Sequence, residues 1–196
     1  MKHGIRYLAL VGSVALLAGC GGGGDSEVDT FAQMEADARA AAAGFIDPDT
    51  GALLVAERTS LPASGSASYD GYVGGEVDGA GLIGELSLDV TFAVGDNGTI
   101  TGEAKNFEHE TDGAYTGTLT VSGGNILPGA PGDADTVAAD LSGTLSNGGT
   151  NYSTDIALDG AFMGGTGTDT PDAIGGAALG TVGTDPFDGI FIVKRP

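Results

Sequence analysis

The sequence predicts an all-β protein: an eight-stranded antiparallel up-and-down β-barrel, preceded by a lipoprotein signal, a flexible tether and a short helix. Three observations lead to this prediction. Residues 61–196 contain successive short segments in which apolar and polar side chains alternate with a period of two. Turn sequences rich in Gly, Asn and Asp separate most of these segments. The chain has 37 glycines and no tryptophan, a composition that suits short strands and tight turns.

An export signal precedes Cys20. Lys2 and Arg6 supply positive charge, residues 7–17 form an apolar run, and small residues lie before the cysteine. The run is too short to span a bilayer comfortably, and Gly21 follows the cysteine instead of a basic flank. A transmembrane anchor is therefore the weaker alternative.

The sequence LAGC at residues 17–20 looks like the bacterial lipobox, in which the cysteine is acylated and becomes the new N-terminus. This resemblance implies that Cys20 is the lipidation site and that acyl chains, palmitate among them, hold the protein on a membrane. An ordinary cleaved signal with a stray thiol is the alternative. Gly21, in place of the Asp that retains lipoproteins at the inner membrane, favours the outer membrane. Cys20 is the only cysteine, so the domain needs a core that is stable without a disulfide.

The mature chain is strongly acidic. Residues 20–196 contain all 27 acidic residues and five basic ones, which leaves a net charge of −22. Nucleic acid and anionic lipid are poor partners for such a field. In one interpretation, the excess of acidic side chains keeps the protein soluble or tolerant of salt. In the other, these side chains bind a basic partner.

A helix and a connector are predicted between the tether at residues 20–28 and the barrel at residues 61–196. Residues 29–43 are rich in Ala and Glu, with Phe31, Met34 and Ala38 at helical spacing. The start is capped by Asp29 or Thr30, and Gly44 is the candidate C-cap. The sequence leaves open whether this helix is an exposed spacer or packs on the domain. After it, residues 47–51 form a turn and residues 53–56 a short strand or connector.

Alternation is clearest in residues 85–94, where apolar side chains occupy one face and polar side chains the other. Asp96-Asn97-Gly98 and Asn147-Gly148-Gly149 are tight-turn sequences. The predicted strands are residues 67–73, 85–94, 99–109, 115–121, 137–145, 152–162, 174–182 and 190–194.

A closed barrel is favoured over a β-sandwich because closure removes the two exposed edges of an open sheet. Its interior is expected to be filled by side chains, since eight strands enclose little more than that. A barrel embedded in the membrane would show an apolar outer face with aromatic girdles, for which the aromatic residues are too few. Many inward positions are small: Gly71, Gly102, Ala104, Gly117, Gly143, Gly160 and Gly176.

Residues 61–71, LPASGSASYDG, resemble the opening strand of the transferrin-binding-protein-like β-barrel domain, written LPxSGxAxYxG. The end of the chain is similar too: GAFMG at residues 160–164, IGG at residues 174–176 and the apolar last strand at residues 190–195. The resemblance covers residues 61–196, and its motifs are structural.

Members of this family are bacterial lipoproteins, often on the cell surface, and characterised relatives bind host iron or haem carriers or complement regulators. The resemblance therefore implies a non-enzymatic binding module for a protein or an iron- or haem-bearing ligand. This chain has one small barrel without the extended loops and second lobe of the transferrin receptors, so no binding residue is carried over. The candidate binding loops are residues 74–84, 123–136 and 164–172. A structural envelope lipoprotein without a specific ligand is the alternative.

No catalytic residue, cofactor or metal is predicted. His109 is the only histidine of the mature chain, and no nucleophile motif accompanies it. Glu108-His109-Glu110 could hold a metal, but neighbouring strand residues point to opposite faces, so only Glu108 and Glu110 would share a side. An exposed loop or a strand end explains these three residues better. Residues 164–169, GGTGTD, fit the start of a calcium-binding β-roll repeat, but one copy cannot build that site, so a hairpin loop is predicted.

Overall fold

The computed structural model describes residues 30–47, 53–93, 98–130 and 132–196. The predicted signal, Cys20, the tether and most of the predicted turns at residues 47–51 and 96–98 lie outside the described residues. The elements are helix α1 (Phe31–Ala42) and strands β1 (Ser64–Val77), β2 (Ala80–Ala93), β3 (Thr99–His109), β4 (Gly113–Tyr115), β5 (Leu119–Leu127), β6 (Thr136–Asn147), β7 (Thr150–Met163), β8 (Ala173–Val182) and β9 (Asp185–Lys194).

The strands close into an antiparallel barrel. Consecutive strands pair with each other except β4 and β5, which both pair with β3, and β1 pairs with β9 through Tyr72 and Ile192 among others. With β4 and β5 counted as the two halves of one strand, the ring has the eight strands predicted from the sequence. The barrel prediction is confirmed, because the pairing of β9 with β1 closes a ring that a sandwich would leave open.

The first hairpin differs from the prediction, which placed a binding loop at residues 74–84. β1 and β2 continue through this segment in one register, joined only by Asp78 and Gly79 with φ of 49° and 81°. The length and polarity that suggested a loop belong to two paired strands. The missing side chains of the strand residues Gly74, Gly75, Gly81 and Gly84 make room for neighbours. The Phe107 ring packs where Gly84 would carry a side chain. The loop prediction for residues 74–84 is therefore wrong.

The fourth strand, predicted as residues 115–121, is interrupted. Gly117 has φ of +130°, and the main-chain oxygen of Thr144 occupies the place of its missing side chain. Only glycine allows this approach at this backbone conformation. The chain therefore bends between β4 and β5 and pairs with β3 on both sides of the bend.

The barrel interior is packed with side chains. Tyr69, Phe107, Phe162 and Phe191 are among the largest fully buried residues, and the rings of Phe92 and Phe162 lie 6.0 Å apart. These aromatic rings belong to one continuous apolar cluster to which all the strands, β1 to β9, contribute. The interior is therefore filled, as the small inward residues predicted.

Helix α1 packs on the outer wall of the barrel. The Thr30 side chain accepts a hydrogen bond from the main-chain nitrogen of Gln33 and caps the helix start, while Gly44 takes φ of +91° just after the last turn. At the helix start the Phe31 ring lies against Gly81 of β2, and Met34 is only 1% exposed. The spacer alternative is wrong, because α1 buries its apolar side against the barrel.

The C-terminal part of α1 completes a second apolar cluster, outside the barrel. Ala41 packs there with Met163, Ala173 and Ile192, and Phe45 lies at its edge. Because Gly81 lies near the β1–β2 turn and Met163 ends β7, the helix runs along the wall from one end of the barrel to the other.

The rest of the outer wall is largely polar. The hydroxyl groups of Ser68 and Ser87 donate hydrogen bonds across the β1–β2 pair to the carboxylates of Asp89 and Asp70. Half-exposed Leu179 and Ile190 are the main apolar residues on the uncovered strands. Among the described helices, none has the length and apolar character needed to span a membrane.

Candidate functional site

The two ends of the barrel differ in the length of their connections. At one end, the turn end, strands are joined by residues 78–79, 110–112, 148–149 and 183–184. At the other, the loop end, lie residues 53–63 before β1, residues 128–135 between β5 and β6, and residues 164–172 between β7 and β8. Long connections held by a rigid scaffold are where proteins most often place binding residues, so the loop end is the candidate site.

Two of the three predicted binding loops are present at the loop end. Residues 164–172 form a loop with the predicted bounds, whereas the loop predicted at residues 123–136 shortens to residues 128–135 because β5 continues to Leu127. The shorter loop is held by its own acid: the main-chain nitrogen of Gly129 donates to a carboxylate oxygen of Asp135, 3.0 Å away. Leu127, at the edge of this loop, is 49% exposed.

The loop at residues 164–172 folds back on itself. Gly164, Gly165 and Gly167 have φ of +70°, +72° and +58°, a conformation that glycine adopts without strain. The nitrogen of Asp172 donates to the carbonyl oxygen of Met163 at 2.9 Å and closes the base of the loop. The predicted hairpin loop is confirmed.

Arg58 lies beneath this loop and is 6% exposed. Its Nη1 donates to the carbonyl oxygen of Gly164 at 2.7 Å. Its Nη2 lies 3.1 Å from the carbonyl oxygen of Ser60 and is also bonded to those of Gly167 and Asp169. The guanidinium group therefore holds three carbonyl groups of one loop and one of the connector.

The main chain of Arg58 ties the connector to the barrel as well. Its nitrogen donates to the carbonyl oxygen of Phe162 at 2.8 Å, and its carbonyl oxygen accepts from the nitrogen of Asp135 at 3.1 Å. Next to it, Glu57 forms a bridge with Met163. One residue thus connects residues 53–63 with both loops of the loop end.

Tyr69 supports the same loop from inside the barrel. Its hydroxyl group donates to the carbonyl oxygen of Pro171 at 3.1 Å. Burial raises the pKa of Tyr69 to about 12, a shift that nearby Arg195 opposes. Arg195 also forms an exposed ion pair with Asp172 at 3.1 Å, so the end of the chain is fastened to the loop.

At the turn end, His109 is buried and makes structural contacts. Its Nδ1 faces the main-chain nitrogens of Asp112, at 3.2 Å, and Thr111, at 3.4 Å. Its ring packs against Tyr115 with centroids 5.8 Å apart. The lone pair of Nδ1, which faces these main-chain N–H groups, is therefore not free to bind a metal or to act as a base on an external substrate.

The two glutamates next to His109 in sequence do not converge with it, although a carboxylate oxygen of Asp112 lies 3.6 Å from its Nδ1. Glu108 is 9% exposed, and burial raises its pKa above the usual range. Glu110 instead accepts a hydrogen bond from the main-chain nitrogen of Gly81 at 3.2 Å. Across the part of the chain that the structure describes, no group of three or more His, Cys, Asp or Glu residues is arranged to hold a metal ion.

Sequence reasoning missed Arg58 and Tyr69. Arg58 was one of five basic residues in an acidic mature chain, and this scarcity was the one signal that singled it out. Three of its four partners lie 106 to 111 residues away, and all four are main-chain carbonyls, which leave no pattern of side chains to recognise.

Comparisons with known proteins found no relative of this chain. No protein-family model matches the chain, and neither a curated protein nor a solved structure matches it. The resemblance to the transferrin-binding-protein-like domain stays a prediction, and the fold class of an eight-stranded antiparallel barrel is what the structure itself defines.

Proposed function

We propose that this chain is a lipid-anchored outer-membrane protein, attached through Cys20, whose barrel is a non-enzymatic binding module that engages its ligand at the loop end. The ordered loop end is the observation that carries the proposal. Arg58 and Tyr69 form hydrogen bonds to residues 164–172, which tie this glycine-rich loop to the barrel. A loop fixed before binding loses little conformational entropy when a partner docks.

The position of α1 supports this assignment of the two ends. Phe31 lies against Gly81, beside the turn at residues 78–79, so the described chain begins at the turn end. A tether at residues 20–28 would therefore leave the barrel from the turn end. With the anchor on that side, the loop end is free to face away from the membrane.

The filled interior supports a protein as the ligand. Tyr69, Phe107 and Phe191 occupy the space that a small ligand would need inside the barrel. His109 lies buried at the opposite end and provides no haem ligand at the loops. A protein surface is therefore the favoured partner, and an iron- or haem-bearing ligand would be recognised through the protein that carries it. Cell-surface exposure is part of this proposal.

The alternative is a structural envelope lipoprotein without a specific ligand. The polar, acidic wall favours it, since the exposed carboxylates of Asp70 and Asp89 are hydrogen-bonded to serines and point to solvent. Such a barrel would act as a hydrated spacer.

Protease shaving of intact cells tests the location. Cells carrying the wild-type protein or Cys20→Ala are treated with protease alongside a periplasmic marker. Release of the barrel while the marker survives is expected for the wild type. Protection until the outer membrane is opened would contradict surface exposure and favour the structural alternative.

A pair of matched leucines tests the binding face. Leu127 at the loop end and Leu179 on the outer wall are 49% and 52% exposed, so each can be changed to Ser without opening the core. Chemical crosslinking on cells exposed to host serum is expected to capture a partner with the wild type and Leu179→Ser, and to lose it with Leu127→Ser. Equal capture by all three would place the ligand elsewhere on the barrel.

A further inference from the structure

The carbonyl cage is defined here as the main-chain oxygens of Ser60, Gly164, Gly167 and Asp169, all bonded to Arg58. Buried arginines are normally paired with a carboxylate, because an unpaired charge is costly to remove from water. Among the ion pairs of the described residues, none involves Arg58. Among the described residues, the hydrogen-bond acceptors around its guanidinium group are main-chain carbonyl oxygens.

Carbonyl oxygens gathered from a glycine-rich loop are the groups with which proteins bind hard cations such as Ca²⁺. Here the three left-handed glycines let residues 164–169 bring three of these oxygens to one point. A side chain at Gly165 would collide with Nη1 of Arg58, so the loop is shaped closely around the guanidinium group.

We infer that residues 164–172 form a cation-ordered loop whose cation is supplied by Arg58 of the same chain. An emptied cage would then take a small guanidinium ion or a hard metal cation in place of the arginine. Arg58 is accordingly a positioning residue for the loop end. The inference goes beyond the proposed function, because it holds whether or not a partner binds there.

Amide hydrogen exchange of the barrel protein tests this inference in Arg58→Gln and Arg58→Lys. Arg58→Gln is expected to speed exchange at residues 165–169 about tenfold or more, because hydrogen bonds to a charged group stabilise more than neutral ones. The strands β6 to β9 keep their protection. Arg58→Lys, which retains a charge and donors, restores part of the protection.

Arg195→Gln is the matched control, since Arg195 contacts the same loop through Asp172 but is exposed. It is expected to leave exchange at residues 165–169 within about twofold of the wild type, as surface ion pairs contribute little. Unchanged exchange in Arg58→Gln, or equal acceleration by Gln and Lys, would overturn the inference.

Ligand rescue distinguishes a cation role from simple packing. In Arg58→Gly, methylguanidinium or Ca²⁺ at millimolar concentration is expected to restore slow exchange at residues 165–169, whereas tetramethylammonium is not, because it donates no hydrogen bonds and is too bulky for the cage. Failure of both rescuing ions, or rescue by all three, contradicts the inference.

If the Arg58 variants do not fold, Gly165→Ala provides the test. This change keeps the arginine and pushes against its Nη1 atom. Because alanine is strained at either left-handed position, Gly167→Ala, where no atom lies within 4 Å of the added carbon, is the control. Faster exchange at residues 165–169 in Gly165→Ala than in Gly167→Ala, with intact strands, supports the inference. Acceleration spread evenly over β7, the loop and β8 overturns it, because the loop would then have no ordering of its own.

Discussion

The hydroxyl group of Tyr69, inside the barrel on β1, donates a hydrogen bond to the carbonyl oxygen of Pro171, 3.1 Å away in the loop between β7 and β8. The two residues are 102 positions apart, so this bond forms only when the barrel has closed. It joins the core to the loop end, and both stability and loop order should depend on it.

Removing this hydroxyl group should weaken the fold and loosen the loop. For Tyr69→Phe we expect a loss of about 1 kcal/mol in the free energy of unfolding, since the ring still fills the core but the Pro171 carbonyl loses its partner. Urea denaturation followed by tyrosine fluorescence and circular dichroism measures the change. An unaltered midpoint would show that the bond contributes nothing to the native state.

High pH should destabilise the protein through two tyrosines. Burial raises the pKa of Tyr69 to about 12 and is the main cause of a similar rise, to about 12, for Tyr115. In the unfolded chain these groups ionise near pH 10, so the unfolded state loses protons first. The free energy of unfolding should therefore fall between about pH 10 and 12, by about 1.4 kcal/mol per pH unit for each tyrosine at most.

Tyr69→Phe and Tyr115→Phe check this assignment. Each variant is expected to have a shallower fall in stability from pH 10 to 12 than the wild type, as measured by urea denaturation at a series of pH values. A slope that neither variant reduces would assign the alkaline loss to other groups.

The strength of a local pattern decided how much of the fold the sequence predicted. β3 has the predicted bounds, residues 99–109, because its alternation is regular and a turn signal precedes it. β1 is longer than predicted because the polar segment at residues 74–84 resembled a loop, whereas its glycines give space to backbone and rings from distant strands. The break after Tyr115 depends on a contact between Gly117 and Thr144, which no local pattern contains.

The candidate site was predicted less completely, for a related reason. The length and polarity of residues 164–172 indicated a loop, and a loop is present. What fixes that loop is Arg58, whose partners are carbonyl oxygens, and every residue has one of those. Side-chain types cannot reveal such a contact until the barrel brings residues 58 and 164–169 together.

The close approach of β9 to β1 should make Gly189 sensitive to substitution. A side chain there would collide with the main chain of Gly74 and Gly75. We expect Gly189→Ala to cost about 2 kcal/mol or more, because backbone in a closed sheet cannot move aside. Thermal and urea denaturation measure the loss.

Gly74→Ala is the control for this change. A Cβ at Gly74 would lie 3.3 Å from the flexible side chain of Ile83, which can shift slightly. This variant should lose much less stability than Gly189→Ala. Equal losses would mean that any alanine in this part of the sheet is harmful, whatever it contacts.

The docking of α1 should depend on Met34, which is 1% exposed. Met34→Ala removes a buried side chain and is expected to cost about 2 to 4 kcal/mol if helix and barrel unfold together. The exposed neighbour Gln33, changed to Ala, should cost at most about 0.5 kcal/mol. Limited proteolysis of the helix should accelerate only in Met34→Ala. Similar behaviour of the two variants would indicate that the helix contributes little to the barrel's stability.

Lipid attachment and membrane sorting can be separated at two adjacent positions. Cys20→Ala should abolish labelling with a palmitate analogue and leave the protein out of the membrane fraction, because the thiol is the predicted acylation site. Gly21→Asp should keep the label but move the protein from the outer to the inner membrane in density-gradient fractions, since the residue after the cysteine carries the sorting signal. Labelling of Cys20→Ala would refute the assignment of the anchor, whereas an outer-membrane location for Gly21→Asp would refute only the sorting prediction.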